Sequence, residues 1–107
     1  MCVCVCVVQD SVLVNVDVRK PGLYRLIYHY VNPTHDDVTA DVTVTPETGG
    51  DVTQSSHVTL SAGTQPRFST VSSGGVVTTF VLNPGAVSVT LKCPPGVLVV
   101  CTSQLRQ

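Results

Sequence analysis

His29, His35 and His57 are the only imidazoles in the chain, and His35 stands beside Asp36 and Asp37, just after Asn32-Pro33-Thr34. One histidine and two carboxylates could ligate zinc for a metal-dependent hydrolysis, and the carboxylates alone could take calcium. The run matches the spaced ligand motif of neither ion, and adjacent acids after a proline are also what a solvated turn uses. The same loop offers Asn32, His35 and Asp37 as polar groups for a sugar, on whose ring Tyr24 or Tyr28 could stack. Serine is plentiful, yet there is no Gly-x-Ser-x-Gly elbow and no strand-turn-helix context for a Ser, His and Asp set. Gly49-Gly50 and Gly74-Gly75 fall in hairpin loops, which makes them turn residues and not a phosphate cradle. No pair of carboxylates is singled out for acid and base work. Enzyme is the class with least support, and no cofactor is implied.

Five cysteines are an odd number, so at least one has no partner within the chain. Cys93 and Cys101 flank Pro94-Pro95-Gly96, a turn that could close a hairpin and bring the two into a disulfide. Cys2, Cys4 and Cys6 alternate with valine, and Cys-x-Cys spacing suits soft metals. Three thiolates with no nearby fourth ligand make a poor site, however. Alternating cysteine and valine codons also spell a TG dinucleotide repeat. Residues 1–10 are accordingly expected to be a low-complexity start outside the fold, with no metal. Asn32-Pro33-Thr34 looks like a glycosylation acceptor, but its proline blocks it.

These side chains must be positioned by strands. Valine and threonine together fill about a third of the chain and mostly alternate with polar residues. A period of two marks strands with one face in a core and one in water. Val38-Thr39-Ala40-Asp41-Val42-Thr43-Val44-Thr45 is the clearest case. Stiff β-branched side chains pack well on a pleated surface, and little material is left for helix.

Turn punctuation at Lys20-Pro21-Gly22, Asn32-Pro33-Thr34, Ala62-Gly63, Ser73-Gly74-Gly75, Asn83-Pro84-Gly85 and Pro94-Pro95-Gly96 cuts the chain into short pieces. Strands are expected near 11–18, 23–31, 37–45, 56–60, 67–72, 76–82, 86–92 and 97–101. Two antiparallel sheets packed as a sandwich are their natural arrangement. A chain of this length suits one domain, placed at 11–101, with 102–107 as a tail. The loop at 46–55 is expected on the surface and mobile. On the strand 23–31, Tyr24, Leu26, Tyr28 and Tyr30 share the more apolar face, which is expected to point inward with its hydroxyls reaching backbone or water at the rim.

Charged residues are 12% of the chain, about half the usual ~25%, and the net charge is -1. Arg19, Lys20, Arg25, Arg67, Lys92 and Arg106 are scattered along the sequence, so no case arises for nucleic acid or an anionic membrane. No apolar run approaches the ~20 residues of a membrane-crossing helix, and the start lacks the basic and long apolar regions of a signal peptide. High β-propensity with low charge favours aggregation at open edges, so a neighbouring domain or partner is expected to cover one.

The run Pro21-Gly22-Leu23-Tyr24-Arg25-Leu26-Ile27-Tyr28-His29-Tyr30-Val31-Asn32-Pro33 resembles a strand of laminin short-arm globular modules of the domain IV type, through Gly22, Tyr24, Leu26, Tyr30, Asn32 and Pro33. The likeness continues through Val42-Thr43-Val44-Thr45-Pro46, the polar stretch around Gln54-Ser55, and Phe80-Val81-Leu82-Asn83-Pro84-Gly85 leading into Val87-Ser88-Val89-Thr90-Leu91-Lys92. It covers roughly residues 11 to 100. The resemblance implies an all-β jelly-roll or galactose-binding-like sandwich between cysteine-rich repeats in a secreted basement-membrane protein. Its role would be structural and adhesive, with matrix proteins or neighbouring domains of the same long chain as partners. The ending Cys101-Thr-Ser-Gln-Leu-Arg-Gln107 departs from the family, where the last strand would run into an aromatic and acidic segment, so a missing closing strand is expected. A carbohydrate-binding module on the same sandwich is the alternative reading.

Overall fold

The computed structural model describes the backbone of residues 3–8, 11–47, 53–94 and 99–107, and the side chains of all of these except 3–8. Eleven strands follow in chain order: β1 Val3–Val8, β2 Ser11–Val18, β3 Gly22–Asn32, β4 Val38–Pro46, β5 Gln54–Leu60, β6 Gly63–Thr70, β7 Ser72–Ser73, β8 Val76–Val77, β9 Phe80–Leu82, β10 Gly85–Lys92 and β11 Val99–Arg106. One sheet has the order β1-β11-β3-β6, with β9 also paired to β3; the other runs β2-β10-β4-β5-β7-β8. Every pairing is antiparallel. The chain steps from one sheet to the other at nearly every turn, as a jelly-roll chain does, and the result is the expected two-sheet sandwich.

Two expectations at the ends are corrected. Val3–Val8 does not stand outside the fold: it pairs with Val99–Gln104 at the border of the first sheet. Residues 102–107 are not a tail either, because β11 runs unbroken to Arg106 and pairs with β3 over Val100–Arg106. Alternating cysteine and valine satisfies the β period whatever the codon history, and Thr102, Ser103 and Gln104 supply the alternation that carries β11 past Cys101.

The core follows from the alternation. Tyr24, Leu26, Tyr28 and Tyr30 of β3 are all buried, whereas Leu23 on the other face is exposed. From the facing sheet, Val42 and Val44 of β4 and Val87, Val89 and Leu91 of β10 point inward. Register places Val89 between Val14 and Val44, and Leu91 between Val12 and Val42, so apolar side chains stand next to apolar ones across three strands. Phe80 and Leu82 of β9 and Leu105 of β11 complete the interior.

The hydroxyls at the rim find partners. Tyr24 donates to the carbonyl of Lys20 at 2.6 Å, and Tyr30 accepts from the amide of Ser61 at 2.9 Å. Ser73-Gly74-Gly75-Val76 is a two-residue hairpin; Gly74 and Gly75 take φ of 59° and 82°, the left-handed region in which glycine carries no steric cost. Gln54 clips the two sheets together, since its side-chain amide donates to the carbonyl of Val81 and accepts from that residue's N–H.

Candidate functional site

The last residue of β3 and the loop from it to β4 hold the three residues singled out for ligand contact, Asn32, His35 and Asp37. Asn32 is fully buried there. Its Nδ2 donates to the carbonyls of Asp36 at 3.1 Å and Leu60 at 2.8 Å, and its Oδ1 accepts from the amide of Thr34 at 3.1 Å and from that residue's hydroxyl. Pro33 brings the chain out of the strand, and the buried amide then folds residues 32–36 back on itself and fastens them to the end of β5. Asp37 accepts from the amide of Ala62 at 2.8 Å, tying the same loop to the start of β6. His35 and Asp36 are exposed. The structure thus brings Asn32 and Asp37 into one region and engages both with backbone, with Asp37 exposed like His35 and Asn32 buried.

His29, His35 and His57 do not converge. His29 lies on the outer face of β3 against Phe68, with ring centroids 5.4 Å apart, and His57 meets Asp41 across β4 and β5 at 2.9 Å in an exposed pair. Among the described residues, no three of histidine, cysteine, aspartate and glutamate gather as metal ligands. The side chains of Cys2, Cys4 and Cys6 lie outside the described residues, as do Gly49-Gly50 and Pro95-Gly96.

The expected pairing of Cys93 with Cys101 is corrected. Cys93 is a buried free thiol, whereas Cys101 is disulfide-bonded. In backbone register Cys101 stands opposite Cys6 of β1. Burial pushes the Cys93 thiol up from its ordinary pKa. Burial also raises Tyr28, with the nearby charge of Cys93 adding to the shift. Neither environment activates a nucleophile, which needs a lowered pKa and access.

Sequence reasoning missed a cleft of about 460 Å³ at one end of the sandwich, where the end of β2 and the turn after it meet the start of β3 and the end of β11. Arg19, Lys20, Arg25 and Arg106 rim it with Asp17, and Val16, Val18, Tyr24 and Leu105 form its buried floor. Four of the six cations scattered through the sequence are therefore neighbours in space. The register that aligns Arg25 with Arg106 brings together residues from opposite ends of the chain, so no local pattern could have revealed it.

Fold and surface together define an all-β, two-sheet module whose polar side chains mostly fasten turns and edges and which carries a cation-rimmed cleft at one end. Among the described residues no helix is long and apolar enough to cross a membrane. No family model matches the sequence. It is, however, 36% identical over 93 residues to the laminin subunit alpha of Drosophila melanogaster, a match covering 85% of this chain and 2% of the relative. It is also 32% identical over 80 residues to human laminin subunit alpha-3, covering 73% of this chain and again 2% of the relative. The protein is laminin-like, and it spans about 2% of the length of the curated relatives it matches.

Proposed function

We propose that this chain is a non-catalytic structural and adhesive module of the extracellular matrix, of the laminin short-arm domain IV type, working within a longer basement-membrane chain. The observation that carries this reading is the likeness to laminin alpha subunits of a fly and a human over most of the sandwich. The physical features agree with it. Buried valines, leucines and tyrosines form the core, and the outer faces keep residues such as Leu23, Phe68, Val81 and Val100 exposed for neighbours. Such a module acts by holding position and presenting surfaces, with matrix proteins or adjoining domains as its partners and secretion as its route.

The carbohydrate-binding alternative at Asn32, His35 and Asp37 has less to work with, because the Asn32 amide and one Asp37 carboxylate oxygen are already engaged. Full-length transcripts across both ends of the reading frame test the main proposal. A frame that continues into cysteine-rich repeats on both sides is the expected result. One that starts at Met1 and stops after Gln107 would overturn the role as a module within a longer matrix chain and leave a small self-associating β-protein in its place.

A further inference from the structure

The cleft gathers four cations that make no ion pair among the described residues. Arg25 of β3 and Arg106 of β11 are directly opposed across an antiparallel pair, which sets their Cα atoms about 4.5 to 5.5 Å apart. Like charges in that arrangement destabilise a sheet. Arg19 and Lys20 crowd the same cleft, and the only carboxylate side chain lining it is that of Asp17. Among the described residues none of these four cations is in an ion pair, the sole such contact being His57 with Asp41. The chain as a whole has a net charge of -1, so this end stands out as positive against a negative remainder. A field of that shape attracts and orients an anionic partner.

We propose that the cleft binds an acidic segment of a partner protein, with carboxylates held by Arg25 and Arg106 and a small apolar side chain set toward Val16, Val18 and Leu105. Guanidinium groups pair with carboxylates through two parallel hydrogen bonds, and two of them side by side match a turn carrying neighbouring acids. A volume of about 460 Å³ accommodates a few side chains, and the floor is apolar. A linear sulfated polysaccharide fits less well. It gains most from a track of cations, and here they are confined to one end, with Arg67 on β6 and Lys92 on β10 standing apart from the cleft. This inference deepens the matrix-module proposal by naming a partner chemistry, and it rests on that proposal for the partner being a protein. The two fail separately, since transcript structure does not affect whether the cleft binds.

The test titrates the whole chain with a labelled peptide carrying Asp-Leu-Asp, the same peptide with Asn-Leu-Asn, and a heparin-derived oligosaccharide. The Asp-Leu-Asp peptide should bind, weaken as salt is raised, and lose on the order of tenfold or more in affinity in R25Q/R106Q, with K92Q unchanged. The double variant should melt no lower than the parent, because it removes a like-charge pair; if it fails to fold, R19Q/K20Q in the turn after β2 reads the same cleft. Failure of the Asp-Leu-Asp peptide to bind, equal binding of the Asn-Leu-Asn peptide, or indifference to these substitutions would overturn the proposal. Tighter binding of the oligosaccharide, lost in the same variants, would overturn the protein partner and assign the cleft to a glycan.

Discussion

Placing a carboxylate at Val42 tests the register of the sandwich most directly. Val42 is fully buried, and β4 aligns it with Leu91 on one side and Ser56 on the other. Cutting it back to alanine removes two methyl groups, worth about 1.6 kcal/mol at ~0.8 kcal/mol per buried carbon, and the cavity left behind brings the loss to about 2 to 3 kcal/mol. For a domain of this size that is a fall in melting temperature of about 10 to 20 °C. Val42→Asp loses the same burial and adds several kcal/mol for an unpaired buried charge. The sum, about 5 to 8 kcal/mol with ~3 to 5 kcal/mol for the charge, is comparable to the total stability at the lower end of the ~5 to 15 kcal/mol range of typical domains. Thr43 lies on the opposite face and is partly exposed between Thr90 and Ser55, so Thr43→Asp should stay within about 0.5 kcal/mol. Thermal melts followed by circular dichroism read both. We expect no cooperative transition for Val42→Asp and a parent-like melt for Thr43→Asp. Equal tolerance of the two would refute the assignment of faces along β4, and with it the pairing to β10.

Other outcomes follow from single sites. Asn32→Ala removes two donated and two accepted hydrogen bonds at a fully buried position and should cost about 2 to 4 kcal/mol in urea unfolding. His35→Ala in the same loop should be silent, and equal effects would show that the loop is not organised by the Asn32 amide. Cys93 holds its proton in the fold at pH values where an unfolded thiol, with a pKa near 8.5, gives it up. Its contribution is therefore full below about pH 8.5 and is lost as pH climbs toward the raised folded value, with Tyr28 acting in the same sense above about pH 10. The urea midpoint should fall between pH 8 and pH 10, and less so in Cys93→Ala; a midpoint that rises would contradict the sign.

Much of this architecture is written locally. The alternation in Val38–Thr45 predicts which side chains of β4 enter the core, because a strand admits only two faces and burial selects the apolar one. The tyrosine strand is legible for the same reason, down to hydroxyls that end on backbone groups at the rim. At the ends, composition is a poor guide to structure. Cysteine and valine in strict alternation look like low complexity, yet a β-ladder asks only for period two and a partner, and β11 supplies the partner. The candidate loop was legible as a set of polar residues but not as a finished hydrogen-bond network, since Asn32 reaches Leu60, a residue on another strand.

What the sequence determined by itself is the class: all-β, one sandwich, inward and outward faces, glycine turns, and a likeness to laminin carried by Gly22, Tyr24, Leu26, Tyr30, Asn32 and Pro33. These depend on periodicity and on backbone geometry, which act over a few neighbouring residues. Only the tertiary structure decided which strands are partners, that Cys93 stays a free buried thiol while Cys101 is disulfide-bonded, and that Arg19, Lys20, Arg25 and Arg106 face one cleft. Those outcomes depend on register between strands far apart in the chain, and in an antiparallel pair a slip of one residue turns every side chain to the opposite face.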